Sequence, residues 1–213
     1  TYDGSGHAAV ATVTGVNSTT LAVPGNGTVT ISYKKNSVAF GGTPTDVASY
    51  TALAHFASSN GNYNDADSTV DGTLTINRRN ATWTTNNSSR YWGQVEPDPL
   101  TTGGGTYFLI AVGVTATYSR VAGASPGTYH IDATLSSSAG ALGNYNITNN
   151  GATFTIYSDP TAITLDSNKI SGTNFDCANQ YTATLKDTIT NLGINGVVLR
   201  LTIGTQGPVT ATT

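Results

Sequence analysis

The chain has 213 residues, of which only 10% are charged, and its formal net charge is −3. This composition excludes the strongly basic surface by which proteins bind nucleic acid or anionic membranes. Solubility must come from Thr, Ser, Asn and Gly. Because Thr suits strands while Gly, Asn and Ser supply turns, the composition predicts an all-β protein.

The first predicted strands lie between residues 8 and 33. Ala8–Thr14 is predicted to form a strand after a turn-rich lead-in. Thr28–Tyr33 alternates apolar and polar side chains, which places Val29, Ile31 and Tyr33 on one face of a half-buried strand.

A longer pattern then occurs twice, at a separation of about 80 residues. It consists of a strand that begins with Tyr, a Gly-Asn-Tyr-Asn turn and a Thr-rich final strand. The first copy comprises Tyr50–Phe56, Gly61–Asn64 and Gly72–Ile76, and the second comprises Tyr129–Leu135, Gly143–Asn146 and Ala152–Ile156. The repeat predicts at least two small β-sandwich domains.

Alternation within the repeated Tyr strand predicts which side chains face the core. The inward set is Tyr50, Ala52, Ala54 and Phe56 in the first copy, and Tyr129, Ile131, Ala133 and Leu135 in the second. His55 and His130 fall on the opposite face of their strands, where a solvent-exposed surface role is favoured over a catalytic or metal-binding one.

A series of short motifs runs through residues 1–77, which we call the first segment. They are Tyr2-Asp3-Gly4, His7-Ala8-Ala9, Ala11–Gly15, Ser49–Ala52, Asn62-Tyr63-Asn64 and Gly72–Ile76. Together they resemble the MBG-type bacterial immunoglobulin-like domains, which occur in tandem in large secreted and cell-surface proteins. The family pattern has one more strand before the Tyr-Asp-Gly turn. We therefore expect the first segment to lack its first strand and to leave a sheet edge open.

Residues 78–157, the second segment, carry a related set of motifs. Asn77–Asn80 is the expected joint between the segments, and Ala81–Thr84 supplies the opening strand that the first segment lacks. Tyr91–Gln94 with Glu96–Leu100 is similar to the Tyr-Gly-Asp and Pro-x-Leu signature of a second MBG subtype. The residue Trp92 departs from that signature and is expected to be an exposed aromatic side chain.

Residues 158–213 resemble the front part of an invasin-type or related bacterial immunoglobulin-like domain. Their predicted strands are Ala162–Leu165, Tyr181–Asp187, Gly196–Ile203 and Pro208–Thr213. We expect an incomplete sandwich here.

Cys177 is the only cysteine, which excludes a disulfide within the chain. A small buried hydrophobic side chain is the favoured role for this residue. The predicted architecture is thus a rod of tandem sandwiches with domains at 1–77, 78–157 and 158–213.

Three carboxylates in the connection that follows the first Asn-Tyr turn form a candidate calcium site. Asp65, Asp67 and Asp71 offer the oxygen ligands that Ca²⁺ prefers. Their spacing lacks the central Gly of an EF-hand loop and the Glu that closes it, so a solvated turn is the favoured interpretation.

The second segment also contains most of the large aromatic side chains outside the repeated motif. Trp92 and Tyr91 are the candidate ligand-binding residues, since exposed aromatic rings can serve as platforms for sugars. Alternation with strand polarity predicts that Trp83, Tyr107 and Tyr118 belong to the core instead.

Catalysis is not expected. The only glutamate of the chain, Glu96, lies in a loop signature that the resemblance explains as structural. The resemblance implies a structural or adhesive stalk, or a self-assembling filament segment, of a bacterial cell-surface or secreted protein, and hence an extracellular location.

The expected partners are neighbouring immunoglobulin-like domains of the same parent chain, or copies of the chain itself, joined through open sheet edges. Two alternatives stay open. One is a carbohydrate- or host-binding module that uses Trp92, and the other is a spacer within a secreted multidomain enzyme. No apolar run approaches the roughly 20 residues of a transmembrane helix, so membrane insertion is not expected.

Overall fold

The computed structural model describes residues 1–165, 182–202 and 208–213. Cys177 lies outside the described residues, as do Tyr181 and Ile203 at the ends of two predicted strands. The all-β prediction is confirmed, because strands dominate and the helical residues form short 3₁₀ turns in the described part of the chain. No helix among these residues is long and apolar enough to span a membrane.

The strands, numbered in chain order, are β1 (Gly27–Lys35), β2 (Val38–Phe40), β3 (Ala48–Ser58), β4 (Ala66–Asp67), β5 (Gly72–Ile76), β6 (Arg79–Thr85), β7 (Ser88–Tyr91), β8 (Gly103–Thr106), β9 (Val114–Arg120), β10 (Gly127–Ser137), β11 (Tyr145–Asn149), β12 (Ala152–Tyr157), β13 (Thr161–Leu165), β14 (Ala183–Asp187), β15 (Val198–Leu201) and β16 (Val209–Thr212). The 3₁₀ turns are Val16–Ser18, Ile110–Val112 and Leu142–Asn144.

The first segment forms one sheet in the order β2-β1-β3-β4, with β5 also paired to β3. Strand β1 alternates between half-buried and exposed side chains, which confirms the face assigned to Val29, Ile31 and Tyr33. In β3, Tyr50 and Phe56 are buried and His55 is exposed, as the alternation predicts.

The strand predicted at Ala8–Thr14 is wrong. Within residues 1–165, Ala8–Val13 forms no strand, and Thr14 makes only a single bridge to Thr20. A strand needs a hydrogen-bonded neighbour, and alternation within one stretch of sequence does not show whether a neighbour is present.

The remaining strands form a three-stranded sheet, a four-stranded sheet and two two-stranded sheets. The three-stranded sheet has the order β11-β6-β8, with β6 parallel to β11 and antiparallel to β8. The four-stranded sheet has the order β7-β12-β10-β9 and contains the fully buried Ile131 and Phe154. The two-stranded sheets pair β13 with β14 and β15 with β16.

The tyrosine that opens each copy of the repeat makes the same hydrogen bond. The Tyr50 hydroxyl donates to the Asp46 carbonyl oxygen at 3.0 Å, and the Tyr129 hydroxyl donates to the Ser125 carbonyl oxygen at 2.7 Å. In both cases the acceptor lies four residues upstream. In each copy the tyrosine hydroxyl thus binds the backbone just before its strand and fixes the chain at the entry to β3 and β10.

Two compact units can be distinguished. The first comprises residues 1–86, 101–119 and 131–152, and the second comprises 87–100, 120–130 and 153–213. The core of the first unit draws on residues from both sides of position 77: Tyr2, Tyr50, Ile76, Ala81, Val112 and Tyr145. The predicted domain boundaries and the rod arrangement stay predictions.

Candidate functional site

A joint between the two segments lies inside the first unit. The 3₁₀ turn Leu142–Asn144 presents the Asn144 side chain, which is 7% exposed, to the loop that precedes β3. The Asn144 Oδ1 atom accepts the Val47 N–H at 2.8 Å, and its Nδ2 atom donates to Asp46 Oδ1 at 2.9 Å. One side-chain amide of the second segment thus binds both a backbone and a side-chain group of the first.

Aromatic packing surrounds this polar contact. The ring of Tyr145 meets the ring of Tyr2 edge-on at 5.4 Å between centroids, and Phe108 lies 5.0 Å away on another side. The Tyr145 hydroxyl accepts the Leu109 N–H at 3.1 Å. The Tyr2 N–H donates to the Asn77 carbonyl oxygen at 2.8 Å, which ties the lead-in to the start of the joint.

Two arginines complete the joint. The Arg78 Nε–H donates to the Gly143 carbonyl oxygen at 3.1 Å, and the Arg79 Nε–H donates to the Tyr107 carbonyl oxygen at 2.8 Å. Tyr107 has a positive φ of 65° and is 72% exposed, so its predicted place in the core is wrong. The left-handed backbone turns its ring outward, onto an open groove of about 590 Å³ beside β6 and β11.

The contacts of the joint have a mechanical consequence. A buried amide with partners on both of its polar atoms, set beside interlocked aromatic rings, has one preferred geometry, because any shift leaves polar groups unpaired. The sequence predicted a joint at Asn77–Asn80 but did not reveal Asn144, whose hydrogen bonds cross almost a hundred positions of the chain. The only sequence signal for it is the repeated Gly-Asn-Tyr-Asn turn itself.

The predicted ligand-binding aromatic residues lie in the second unit and are exposed. Trp92 is 54% exposed and Tyr91 is 37% exposed. Tyr157, which the sequence analysis missed, is 49% exposed; its ring lies 5.6 Å from that of Tyr91, and its carbonyl oxygen accepts the Trp92 N–H at 2.8 Å. Alternation along β12 could have identified Tyr157, because the preceding residue, Ile156, points inward.

Arg90, Glu96 and Arg120 form an ion cluster in the same unit as these rings. The Glu96 carboxylate accepts the Arg90 Nε–H at 2.9 Å and the Arg120 Nε–H at 3.1 Å, with a further hydrogen bond from Arg120 Nη2. Both arginine side chains are nearly buried, and the Arg120 guanidinium lies 4.7 Å from the Phe154 ring centroid and 5.1 Å from that of Tyr129. Hydrogen bonds from Arg120, and then from Arg90, hold the pKa of Glu96 below its ordinary value. Glu96 is therefore a structural ion-pair partner, bound on two sides.

The three candidate calcium ligands have different partners. The Asp65 Oδ1 atom accepts the Ser58 N–H at 2.7 Å, while Asp67 Oδ1 lies 2.7 Å from His55 Nδ1. Asp71 is exposed. Among the residues that the structure describes, no group of three His, Cys, Asp or Glu side chains is placed to hold a metal ion. The calcium site stays a prediction.

Comparison with known proteins gave no match to any family model, curated protein or solved structure. The relation to MBG-type and invasin-type domains accordingly stays a prediction.

Proposed function

We propose that this chain is a structural or adhesive segment of a large bacterial cell-surface or secreted protein, with no catalytic role of its own. It would act as a stalk that holds other domains at a distance, and it would associate with neighbouring immunoglobulin-like units. The observation that carries this proposal is the joint around Asn144. A stalk transmits position and force only if successive segments keep a fixed geometry, and the Asn144 side chain links the two segments with a hydrogen-bond partner on each of its polar atoms.

Nuclear magnetic resonance relaxation of the full chain tests the proposal. Strands on the two sides of residue 77, such as β3 and β6, should report the same rotational correlation time. Replacing Asn144 by Ala leaves the Val47 N–H unpaired, at a cost of about 1–3 kcal/mol. In the Asn144→Ala variant we expect the thermal stability of the first unit to fall and the Val47 amide to become more mobile, while the shared core keeps β3 and β6 at one correlation time.

The matched control is Asn62→Ala. Asn62 occupies the same place in the first Gly-Asn-Tyr-Asn turn but is exposed, so its removal should change neither quantity. The stalk proposal would be contradicted if the wild-type strands on the two sides of residue 77 tumbled independently, or if the two variants behaved alike.

A second candidate function is the binding of a carbohydrate or a host surface. It is favoured by the exposure of Tyr91, Trp92 and Tyr157, because aromatic rings with one apolar face and a polar edge suit sugar rings. A glycan array should then give a signal that Trp92→Ala abolishes and Trp83→Phe, a buried substitution on β6, leaves intact. A silent array with wild-type protein would remove this candidate.

A further inference from the structure

The open groove beside β6 and β11 lies entirely within the first unit. Its volume of about 590 Å³ falls within the range of small-ligand sites in proteins, roughly 300–1,000 Å³. The residues that line it come from β6, from β11 and from the chain next to them. The groove can therefore be considered as a binding site formed by one compact unit.

The floor of the groove is an array of side-chain amides and hydroxyls. Strands β6 and β11 are parallel, and their register sets Asn80 beside Asn146 and Thr82 beside Thr148. These positions alternate with buried ones such as Ala81, so their side chains face outward and line the groove. Because neighbouring strands lie about 4.8 Å apart, each pair offers two polar groups to the same ligand.

The asparagine pair keeps hydrogen-bonding capacity for a ligand. The Asn146 Nδ2 atom donates to Asn80 Oδ1 at 3.2 Å, and both residues are exposed. Within the described residues, Asn80 Nδ2 and Asn146 Oδ1 have no hydrogen-bond partner. The pair thus presents a donor next to an acceptor. Neighbouring hydroxyls of a sugar ring match this arrangement, because each hydroxyl both donates and accepts.

Tyr107 supplies an aromatic wall. Its side chain is 72% exposed, and its φ of 65° is unfavourable for a bulky residue. The hydrogen bond from Arg79 Nε–H to the Tyr107 carbonyl oxygen, at 2.8 Å, holds this backbone in place. A strained residue that exposes an aromatic ring does little for folding, and such residues occur at binding sites. A tyrosine ring, apolar on its face and polar at its edge, suits a sugar ring.

The charge of the groove is positive. Arg78 is the one charged side chain among its lining residues, all of which are described, and no carboxylate lies among them. The Arg78 Nε–H donates to the Gly143 carbonyl oxygen, while its two Nη groups have no hydrogen-bond partner in the described part of the chain. A guanidinium group binds a carboxylate through paired, charge-assisted hydrogen bonds. The groove is therefore suited to an anionic ligand.

We propose that this groove binds an acidic saccharide, that is, a sugar unit that carries a carboxylate. The sugar ring packs on Tyr107, its hydroxyls bind the Asn80 and Asn146 amides, and its carboxylate binds the Nη groups of Arg78. The proposal goes beyond the stalk function and does not depend on it. It is also separate from the exposed aromatic residues of the second unit.

Nuclear magnetic resonance titration of the full chain with trigalacturonate tests the site. The backbone amides of Asn80, Asn146 and Thr148 should shift, and the indole N–H of Trp92 should not. The fully methyl-esterified trisaccharide is the neutral control, and it should bind about tenfold more weakly because charge-assisted hydrogen bonds are stronger. Tri-aspartate, which has the charge but no sugar ring, should also bind at least about tenfold more weakly.

Tyr107→Gly separates binding from folding. Glycine adopts the left-handed backbone without strain, so the melting temperature should be kept or raised. Loss of the ring should weaken the binding of trigalacturonate about tenfold. Trp92→Ala, which removes an exposed aromatic ring of the second unit, is the control and should bind like the wild type. A purely structural Tyr107 would instead give a lower melting temperature with unchanged binding.

Arg78→Gln tests the charge. It should reduce the affinity for trigalacturonate to that of the methyl ester and leave the affinity for the ester unchanged. Lys34→Gln removes a positive charge from an exposed side chain outside the groove, and it should have no effect on either affinity.

Three results would overturn the proposal: no shift at these amides with millimolar trigalacturonate, equal affinities for trigalacturonate and its two controls, or unchanged binding by Tyr107→Gly. A titration that shifted Trp92 and left the groove unchanged would assign sugar binding to the second unit instead. None of these results bears on the relaxation of the sugar-free chain, so failure of the saccharide site and failure of the stalk function are distinguished.

Discussion

At the scale of single residues, the most informative charged group is the Glu96 carboxylate, which forms ion pairs with both Arg90 and Arg120. Both arginine side chains are almost removed from water, at 10% and 12% exposure, while Glu96 is 41% exposed. The carboxylate neutralises two nearly buried cations. Removing the carboxylate would lower the folding stability mainly because the two guanidinium groups would stay nearly buried without it.

This arrangement predicts a pH-dependent stability. The folded-state pKa of Glu96 lies below its ordinary value of 4.5, so the contribution of the ionised carboxylate is fully present above that value. It is lost as the pH falls through the lowered folded-state pKa. At neutral pH we expect Glu96→Gln to destabilise the protein by about 1 kcal/mol, after allowance for solvent screening.

Thermal melting of the wild type and Glu96→Gln across the acid range provides the measurement. The difference between their melting temperatures should be largest at neutral pH and should shrink in acid. Asp98→Asn, an exposed carboxylate in the same loop, is the control and should show little difference at any pH. A difference for Glu96→Gln that did not change with pH would exclude the ion-pair explanation.

At the scale of elements, strand β8 is defined by its run of three glycines. A methyl group added at Gly103 would come within 2.5 Å of the Thr84 carbonyl oxygen, and one at Gly105 within 2.7 Å of the Phe108 ring. The same positions approach the Trp83 indole at 3.0 Å and 3.2 Å. Glycine is needed at Gly103 and Gly105 because the backbone of β8 lies against the β6 backbone at Thr84 and against the side chains of Trp83, Tyr118 and Phe108.

The middle glycine provides an internal control for a prediction about this pairing. Nothing lies within 4 Å of a Cβ added at Gly104, and its φ is not in the left-handed region. We expect Gly103→Ala to destabilise the protein by about 1–3 kcal/mol through overpacking, and Gly104→Ala to be neutral or slightly stabilising. Chemical denaturation followed by Trp fluorescence measures both. Equal effects at the two positions would show that backbone entropy, and not the contact with β6, decides the outcome.

Elements also show how far sequence reasoning extends. The inward faces of β1 and β3 follow from alternation. Successive side chains of a strand point to opposite faces, so a half-buried strand has apolar residues at every second position. Ala8–Thr14 has strand-like composition too, yet most of it forms no strand, since pairing depends on a neighbour elsewhere in the chain. Tyr107 was assigned to the core by the same reasoning, and a positive φ reverses its direction. Local patterns therefore predict faces better than they predict partners.

At the scale of the whole molecule, the same limit applies to the candidate site. The repeated tyrosines and Asn-Tyr turns predict two related segments, and the tyrosine of each copy makes the same hydrogen bond to a carbonyl oxygen four residues upstream. The use of Asn144 as the link to Asp46 and Val47 could not be predicted, because the exposed Asn62 sits in an identical four-residue motif. What distinguishes the two asparagines is the surface that each one meets.

Burial also differs along the molecule, and it predicts unequal local stability. Strands β3, β10 and β12 each bury large side chains, whereas every residue of β13 and β16 is exposed, including Ile163 at 60%. A two-stranded sheet without a covered apolar face is marginally stable on its own. Its amides should therefore open to solvent without global unfolding.

Hydrogen–deuterium exchange of dilute full-length protein, read by mass spectrometry, measures this difference. We expect peptides from β13–β16 to be protected at least about a hundredfold less than those from β3 and β10. Peptides from β7, which pairs with β12 in a four-stranded sheet, are the control for strand exposure and should be intermediate. If β13–β16 were protected as strongly as β3, these strands would have to be covered by structure beyond their own pairing.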